Sequence, residues 1–179
     1  MAWTRLIRFQ DDAGATRFGE PVIDSAEDLN LLLERGELFA SDFEGSSPFA
    51  LTGPGSKRPV KKILGILTTE DVPVIKCISL DYTKHIQGGR TPPPYLSIFF
   101  KAKTSVAGYD EDVPVPKLAQ DDQCDYEGEL SIVIGKTGKN IKEEEALDYV
   151  AGYVSSNDVS SRKWQRDPAV ILPATYNQG

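Results

Sequence analysis

The chain is poor in the residues that build soft-metal and redox sites: its 179 residues include one histidine and two cysteines. A zinc centre of the two- or three-histidine kind cannot be assembled around His85 alone. Cys77 and Cys124 form no paired motif and no disulfide framework, so they read as buried thiols of a cytoplasmic protein. Apolar runs are short, none long enough to cross a bilayer, and the opening MAWTRLIRFQDD is too polar and too soon acidic for a secretory signal. Positive charge is also in deficit. Twenty Lys and Arg stand against 27 Asp and Glu, a formal net charge of −7, so nucleic acid is not an expected partner.

What is present is ordinary for a globular chain: 40% hydrophobic and 26% charged residues, enough for one domain or one domain with a small appendage. A metal, if bound, would be held mostly by carboxylates, which means a hard cation such as Mg, Mn or Ca.

Alternation in WTRLIRF (3–9) predicts a strand, Asp11, Asp12 and Gly14 a turn, and residues 18–23 a second strand. In SAEDLNLLLERG, Ser25 is the expected N-cap with Asp28 three residues on, Leu29, Leu32 and Leu33 form the stripe, and Gly36 ends the helix. Residues 41–58, rich in Gly, Ser and Pro, read as loop, and the division into domains is expected near residue 70. Beyond it VPVIKCISL (72–80), YLSIFFK (95–101), ELSIVIG (129–135) and GYVSSNDVS predict strands. DVPVPK (112–117) suits an edge or a connecting arm, and KEEEALDYV (142–150) a helix with acids in its first turn. The class is α+β, mostly β, with mixed sheets.

The sharpest feature is DDQCDYEGELSIVIG, 121–135. In a strand Glu127 and Glu129 share a face, while Gly128, Leu130, Ile132 and Ile134 point the other way, toward an expected core. Two carboxylates so close repel, and a bound cation offsets that repulsion; a solvated outer face is the alternative. Asp158 ends a strand-like run, with Arg162 and Gln165 spaced four and seven residues beyond it, on one side if a helical turn begins there. A guanidinium and an amide so placed suit a substrate carboxylate, and an N-capping Asp158 is the plainer alternative. His85 closes SLDYTKH just before a Gly-Gly loop, where it is either structural or a proton shuttle.

KCISLDYTKH, FFKAKTSV, DDQCDYEGELSIVIGK, ALDYVAGY and NDVSSRKWQ together resemble, in order and spacing, the fumarylacetoacetate hydrolase superfamily over about residues 72–165. They look most like its acylpyruvate hydrolase and oxaloacetate decarboxylase branch. The resemblance implies a mixed-β roll in residues 71–179, preceded by a small N-terminal domain in 1–70. It also implies Mg or Mn held by Glu127, Glu129 and Asp158, with His85 as general base. Lys101 falls on a catalytic, site-lining position, and Tyr82, Arg162 and Gln165 on substrate-binding ones.

Departures are visible too. The family's Gly-x-Asn-Tyr reads Ser79-Leu80-Asp81-Tyr82, and the glutamate that pairs with the histidine is replaced by Gly88. The chain also ends at Gly179, where the family's domain continues, so the roll is expected to be incomplete and shortened.

The expected activity is metal-dependent cleavage of a C–C bond beside a 2-oxo acid, by hydrolysis or decarboxylation, in a cytoplasmic homodimer. The alternative is a weakly active or non-catalytic member that partners a full-length paralogue.

Overall fold

The computed structural model describes residues 3–24, 28–79, 95 and 97–166. The chain divides into two compact units, Met1–Glu111 and Asp112–Gly179. Strands dominate both, with few and short helices, as the sequence class requires. Among the described residues no helix is long and apolar enough to cross a membrane.

In the first unit, β1 (Ile7–Gln10), β2 (Thr16–Pro21), β3 (Phe39–Phe43), β4 (Lys57–Pro59) and β5 (Lys62–Leu64) form one sheet in the order β4-β3-β2-β1-β5. Every pairing is antiparallel. The Asp11 side chain closes the β1–β2 turn by accepting from the Ala13 and Ala15 amides at 3.0 and 2.8 Å. The expected loop at 41–58 is shorter than predicted. Ser41–Phe43 complete β3 and residues 57–58 open β4, because apart from Ser41 the Gly/Ser/Pro punctuation is confined to 45–56.

Helix α1 (Leu29–Arg35) follows β2. Asp28 is its N-cap, its carboxylate accepting from the Asn30 and Leu31 amides; the expected cap, Ser25, lies outside the described residues. Gly36 ends the helix at φ +70°, a left-handed position that costs a glycine little. Phe9, Leu38, Ala40, Val60 and Ile63 form the core, and Leu29, Leu32 and Leu33 of the helix stripe pack against it.

Two carboxylates are buried beside this sheet, and both are paired. Arg17 reaches Asp11 at 2.5 Å and Asp42 at 3.5 Å, and Arg58 reaches Asp42 at 3.1 Å. The Arg17 guanidinium, helped by the Ala15 amide, holds the Asp11 carboxyl below the usual aspartate range. The unit also contains β6 (Ile75–Ser79), paired antiparallel with β7 (Ser97–Lys101), both where the β-branched and aromatic runs predict strands.

The second unit opens without a strand over DVPVPK and has a 3₁₀ turn at Lys117–Ala119. Then come β8 (Cys124–Asp125), β9 (Gly128–Ile134), a 3₁₀ helix (Glu143–Tyr149), β10 (Val150–Asn157), β11 (Ser160–Ser161) and α2 (Arg162–Arg166). β9 pairs with β10 and β8 with β11, both antiparallel. The helix expected at 142–150 is thus of the tighter 3₁₀ kind. Lys142 supplies no side-chain cap, and Glu143, Glu144 and Glu145 crowd three like charges into one turn.

Two expectations about burial are corrected. The period of β9 is as predicted, but the face with Gly128, Leu130, Ile132 and Ile134 is the exposed one; Leu130 is 61% accessible. Among the described residues β9 pairs with β10 alone, and no second layer covers its apolar side. The half-buried face carries Glu127, Glu129, Ser131 and Val133. Of the two free thiols, Cys77 is half-buried, and Cys124, in the two-residue β8, is exposed.

Candidate active site

The acidic cluster is built where two strands are interrupted at the same level. Residues 126–127 separate β8 from β9, and residues 158–159 separate β10 from β11. Glu127 and Asp158 therefore sit in the gaps rather than in the ladders. Backbone bonds keep the gaps together: the Asp158 amide donates to the Glu127 carbonyl at 2.8 Å, and the Arg162 amide to the Gln123 carbonyl at 2.8 Å. The Asn157 side chain accepts from the Glu127 amide at 3.2 Å, and Asn157 lies opposite Gly128 in the ladder. Glu129 lies one pair further along, opposite Ser156.

Arg162, the first residue of α2, reaches back into this gap. Its Nε donates to Asp125 Oδ2 at 2.8 Å and its Nη1 to Glu127 Oε1 at 2.5 Å. Nη1 also donates to Gln165 Oε1 at 2.9 Å. The Ser160 hydroxyl donates to the same Glu127 oxygen at 3.1 Å. The bond to Asp125, and after it the bond to Glu127, raise the arginine's pKa still further, against an opposing effect of burial. Below the cluster, Ser161 donates to Gln123, whose amide donates to the Leu118 carbonyl, and the Trp164 indole donates to that carbonyl at 2.7 Å. These bonds fix α2, and so Arg162, against the 3₁₀ turn.

Of the eight residues singled out from the sequence, Glu127, Arg162 and Gln165 are in direct contact, and Asp158 is bonded to Glu127 through the backbone. Glu129 is on the half-buried face of β9, two residues from Glu127. Lys101 ends β7 in the first unit, half-buried and opposite Ile75. Tyr82 and His85 lie outside the described residues. Two participants were missed, Asp125 and Ser160. Asp125 stands two residues before Glu127, so the strand period that joined Glu127 to Glu129 also pointed to it.

The donors are of the kind a hard cation takes: two carboxylates two residues apart, Glu127 and Glu129, and a third, Asp158, joined to Glu127 across the gap. As placed, however, Glu127 is turned to Arg162 and Ser160. Among the described residues no three carboxylate, imidazole or thiol groups converge as a metal-binding set. An anion has a clearer partner here, since Arg162 is a fork-shaped donor.

Comparison with known proteins bears on the same stretch. The family model described as fumarylacetoacetate (FAA) hydrolase C-terminal matches residues 74–178. Caffeoylpyruvate hydrolase of Neonothopanus nambi is 38% identical over 172 residues, 91% of this chain and 59% of that protein. The mitochondrial oxaloacetate tautomerase of Xenopus laevis is 44% identical over 92 residues, 51% of this chain and 28% of that protein. Among solved structures, 2-hydroxyhepta-2,4-diene-1,7-dioate isomerase from Mycobacterium marinum has a TM-score of 0.63 at 26% identity, covering 90% of this chain and 56% of that one. The 5-carboxymethyl-2-hydroxymuconate delta-isomerase from Mycobacterium smegmatis, with a TM-score of 0.69 at 24% identity, shows a likeness of fold, over 93% of this chain and 59% of that one. Each match spans less than two thirds of the relative's length.

Proposed function

The chain belongs to the fumarylacetoacetate hydrolase C-terminal family, and from that membership we propose that it processes a small 2-oxo acid, cleaving the C–C bond beside the 2-oxo group with a divalent cation. Acylpyruvates and oxaloacetate are the substrate classes that the relatives' names suggest. The observation that carries the reading is the gap in the ladder, where Glu127 and Asp158 are bonded through their backbones, Glu129 follows and Arg162 reaches in.

In this proposal Glu127, Glu129 and Asp158 hold Mg or Mn, and the cation supplies Lewis acidity toward the 2-oxo and carboxylate oxygens. Arg162 and Gln165 orient the substrate carboxylate, a task suited to a planar two-armed donor. Tyr82 binds substrate, Lys101 lines the site, and His85 moves a proton. With glycine at position 88, His85 lacks the carboxylate that would orient it, so turnover is slow. The weaker demand for an activated water tilts the chemistry toward decarboxylation or isomerisation. The division into a domain at 1–70 and a catalytic domain at 71–179 belongs to the same proposal. It is supported by the five-stranded sheet, which ends at Leu64, and by the family match, which starts at residue 74.

The test is a steady-state assay on oxaloacetate and an acylpyruvate with Mg or Mn against EDTA, for the wild type, Glu129→Ala and His85→Ala. Metal-dependent turnover lost in Glu129→Ala supports the reading. Turnover indifferent to EDTA and to both substitutions removes it.

A second reading, a weakly active or non-catalytic member acting as a homodimer or beside a full-length paralogue, is favoured by the unconverged carboxylates. Light scattering of the chain alone and mixed with a paralogue checks it, and a monomer in both cases rejects it.

A further inference from the structure

Lys101 ends β7, and the segment that follows it runs back onto the small sheet of the same unit. Lys103–Ser105 form a 3₁₀ turn, with the Ser105 amide donating to the Ala102 carbonyl at 2.9 Å and the Val106 amide to the Lys103 carbonyl at 3.1 Å. The chain then meets the residue after β5. A Cβ built on Gly65 comes within 2.9 Å of the Gly108 Cα and 3.5 Å of the Ala107 carbonyl oxygen. Backbone here lies on backbone, an approach that glycine permits because it carries no side chain. The Gly65 carbonyl is itself tied to β1, accepting from Arg8 Nη1 at 3.2 Å. Next, the Tyr109 hydroxyl donates to Asn30 Oδ1 of α1 at 2.6 Å. Asp110 turns the chain at φ +57°, and the Glu111 carboxylate closes that turn by accepting from the Gly108 amide at 2.5 Å.

We propose that residues 102–111 are a strap that holds Lys101 in place from the first sheet, with Gly65 and Tyr109 as positioning residues. The inference rests on the reading of Lys101 as part of the site and deepens it. Among the described residues β6 pairs with β7 alone, and Ile78, Ile98 and Phe100 of this hairpin are exposed. A two-stranded ladder is marginal by itself, and its ends fray first. Lys101 stands at such an end, in the terminal pair with Ile75. The strap's anchors sit on firmer ground. Ile63 of β5 belongs to the core, and Leu29, Leu32 and Leu33 of α1 pack against it. The 3₁₀ turn takes up slack between Lys101 and those anchors. A lysine side chain is a long flexible stem, so fixing its backbone decides where its amine can reach.

The test compares the full chain with Tyr109→Phe, Asn30→Ala, the double variant and Gly65→Ala. Two readouts need no turnover. One is acylation of Lys101 by N-hydroxysuccinimidyl acetate, mapped by mass spectrometry against Lys76, an exposed lysine of the same hairpin. The other is hydrogen exchange at the Val106 amide. Loss of one hydrogen bond typically changes a local equilibrium by about two- to tenfold. Tyr109→Phe and Asn30→Ala should each raise the Lys101-to-Lys76 ratio and the Val106 exchange rate by that factor. The double variant should go no further than either, since both remove the same bond. Gly65→Ala, which sets a methyl group against backbone, should raise both at least as much. Faster Val106 exchange with Lys101 acylation unchanged would mark a purely structural contact and overturn the strap. Wild-type behaviour of Tyr109→Phe in both readouts overturns it too, whatever Gly65→Ala does to folding. On oxaloacetate, kcat of Tyr109→Phe should fall by about two- to tenfold at unchanged KM. An unchanged kcat beside faster acylation removes Tyr109 as a positioning residue. A wild type without turnover on any 2-oxo acid overturns the reading of Lys101 as part of a site, and the acylation result then decides the strap alone.

Discussion

Gly19→Ala should destabilise the first unit although it adds one methyl group. Gly19 is buried in β2, opposite Asp42 of β3. A Cβ built there meets the Ser41 carbonyl oxygen at 2.7 Å, the Phe9 ring at 3.0 Å and the Ala40 Cβ at 3.1 Å. Optimal carbon–carbon separation is about 3.5–4.0 Å, so all three neighbours would have to give way. None is the loose end of a long side chain. Ser41 O is backbone in a paired strand, and Phe9 and Ala40 are core residues with no accessible surface. Overpacking of this kind costs about 1–3 kcal/mol, offset by about 0.5–1 kcal/mol from the smaller entropy of the unfolded chain. A net loss of about 1–2 kcal/mol corresponds to a drop in Tm of about 4–8 °C for a unit of this size. Circular-dichroism melting of the variant is the assay. Gly128→Ala serves as control, since a Cβ there meets nothing within 4 Å and should change stability by less than about 0.5 kcal/mol. A Gly19→Ala protein that melts at or above the wild-type temperature would refute the packing argument.

Phe9→Ala, which empties the centre of the same core, should cost about 3–5 kcal/mol in urea unfolding, and a loss below about 1 kcal/mol would contradict the assigned core. The Asp11 carboxyl, lowered by Arg17, binds its proton less readily folded than unfolded. Its contribution is therefore complete above its ordinary value of 3.8 and is lost as the pH falls through the lowered folded value. Melting temperature followed into that acid range should show a limb that flattens in Arg17→Gln, and an identical limb would exclude this pair as its source. Trp164→Phe, which removes the indole bond to the Leu118 carbonyl, should cost up to about 1 kcal/mol of stability, read as a lower urea midpoint at unchanged m; a changed m would signal a wider rearrangement.

Strands were legible in the sequence where branched and aromatic residues cluster, as in Ile75–Ser79, Ser97–Lys101 and Gly128–Ile134. The short β4 and the end of β3 were hidden by neighbouring glycines and prolines, because three-residue strands are held by their partners rather than by their own propensity. The alternation in β9 gave its period and not which side is covered, since that depends on residues elsewhere in the fold. For the site, the spacing of the two glutamates and of Arg162 and Gln165 could be read directly. The pairing of Glu127 with Arg162 could not, because two residues 35 positions apart come together only when both strands break at one level.

The hairpin of β9 and β10 separates the acidic gap from the connection that joins the two strands. Pairing runs from Asn157 and Gly128 at the gap to Val150 and Ile134 at the connection. At about 3.4 Å per residue the two ends stand roughly 20 Å apart. The connecting stretch, residues 135–149, is accordingly the place to lengthen or to tag this protein. Doubling a loop costs only about 0.6 kcal/mol in closure entropy, and the ladder between insulates the carboxylates from whatever is inserted.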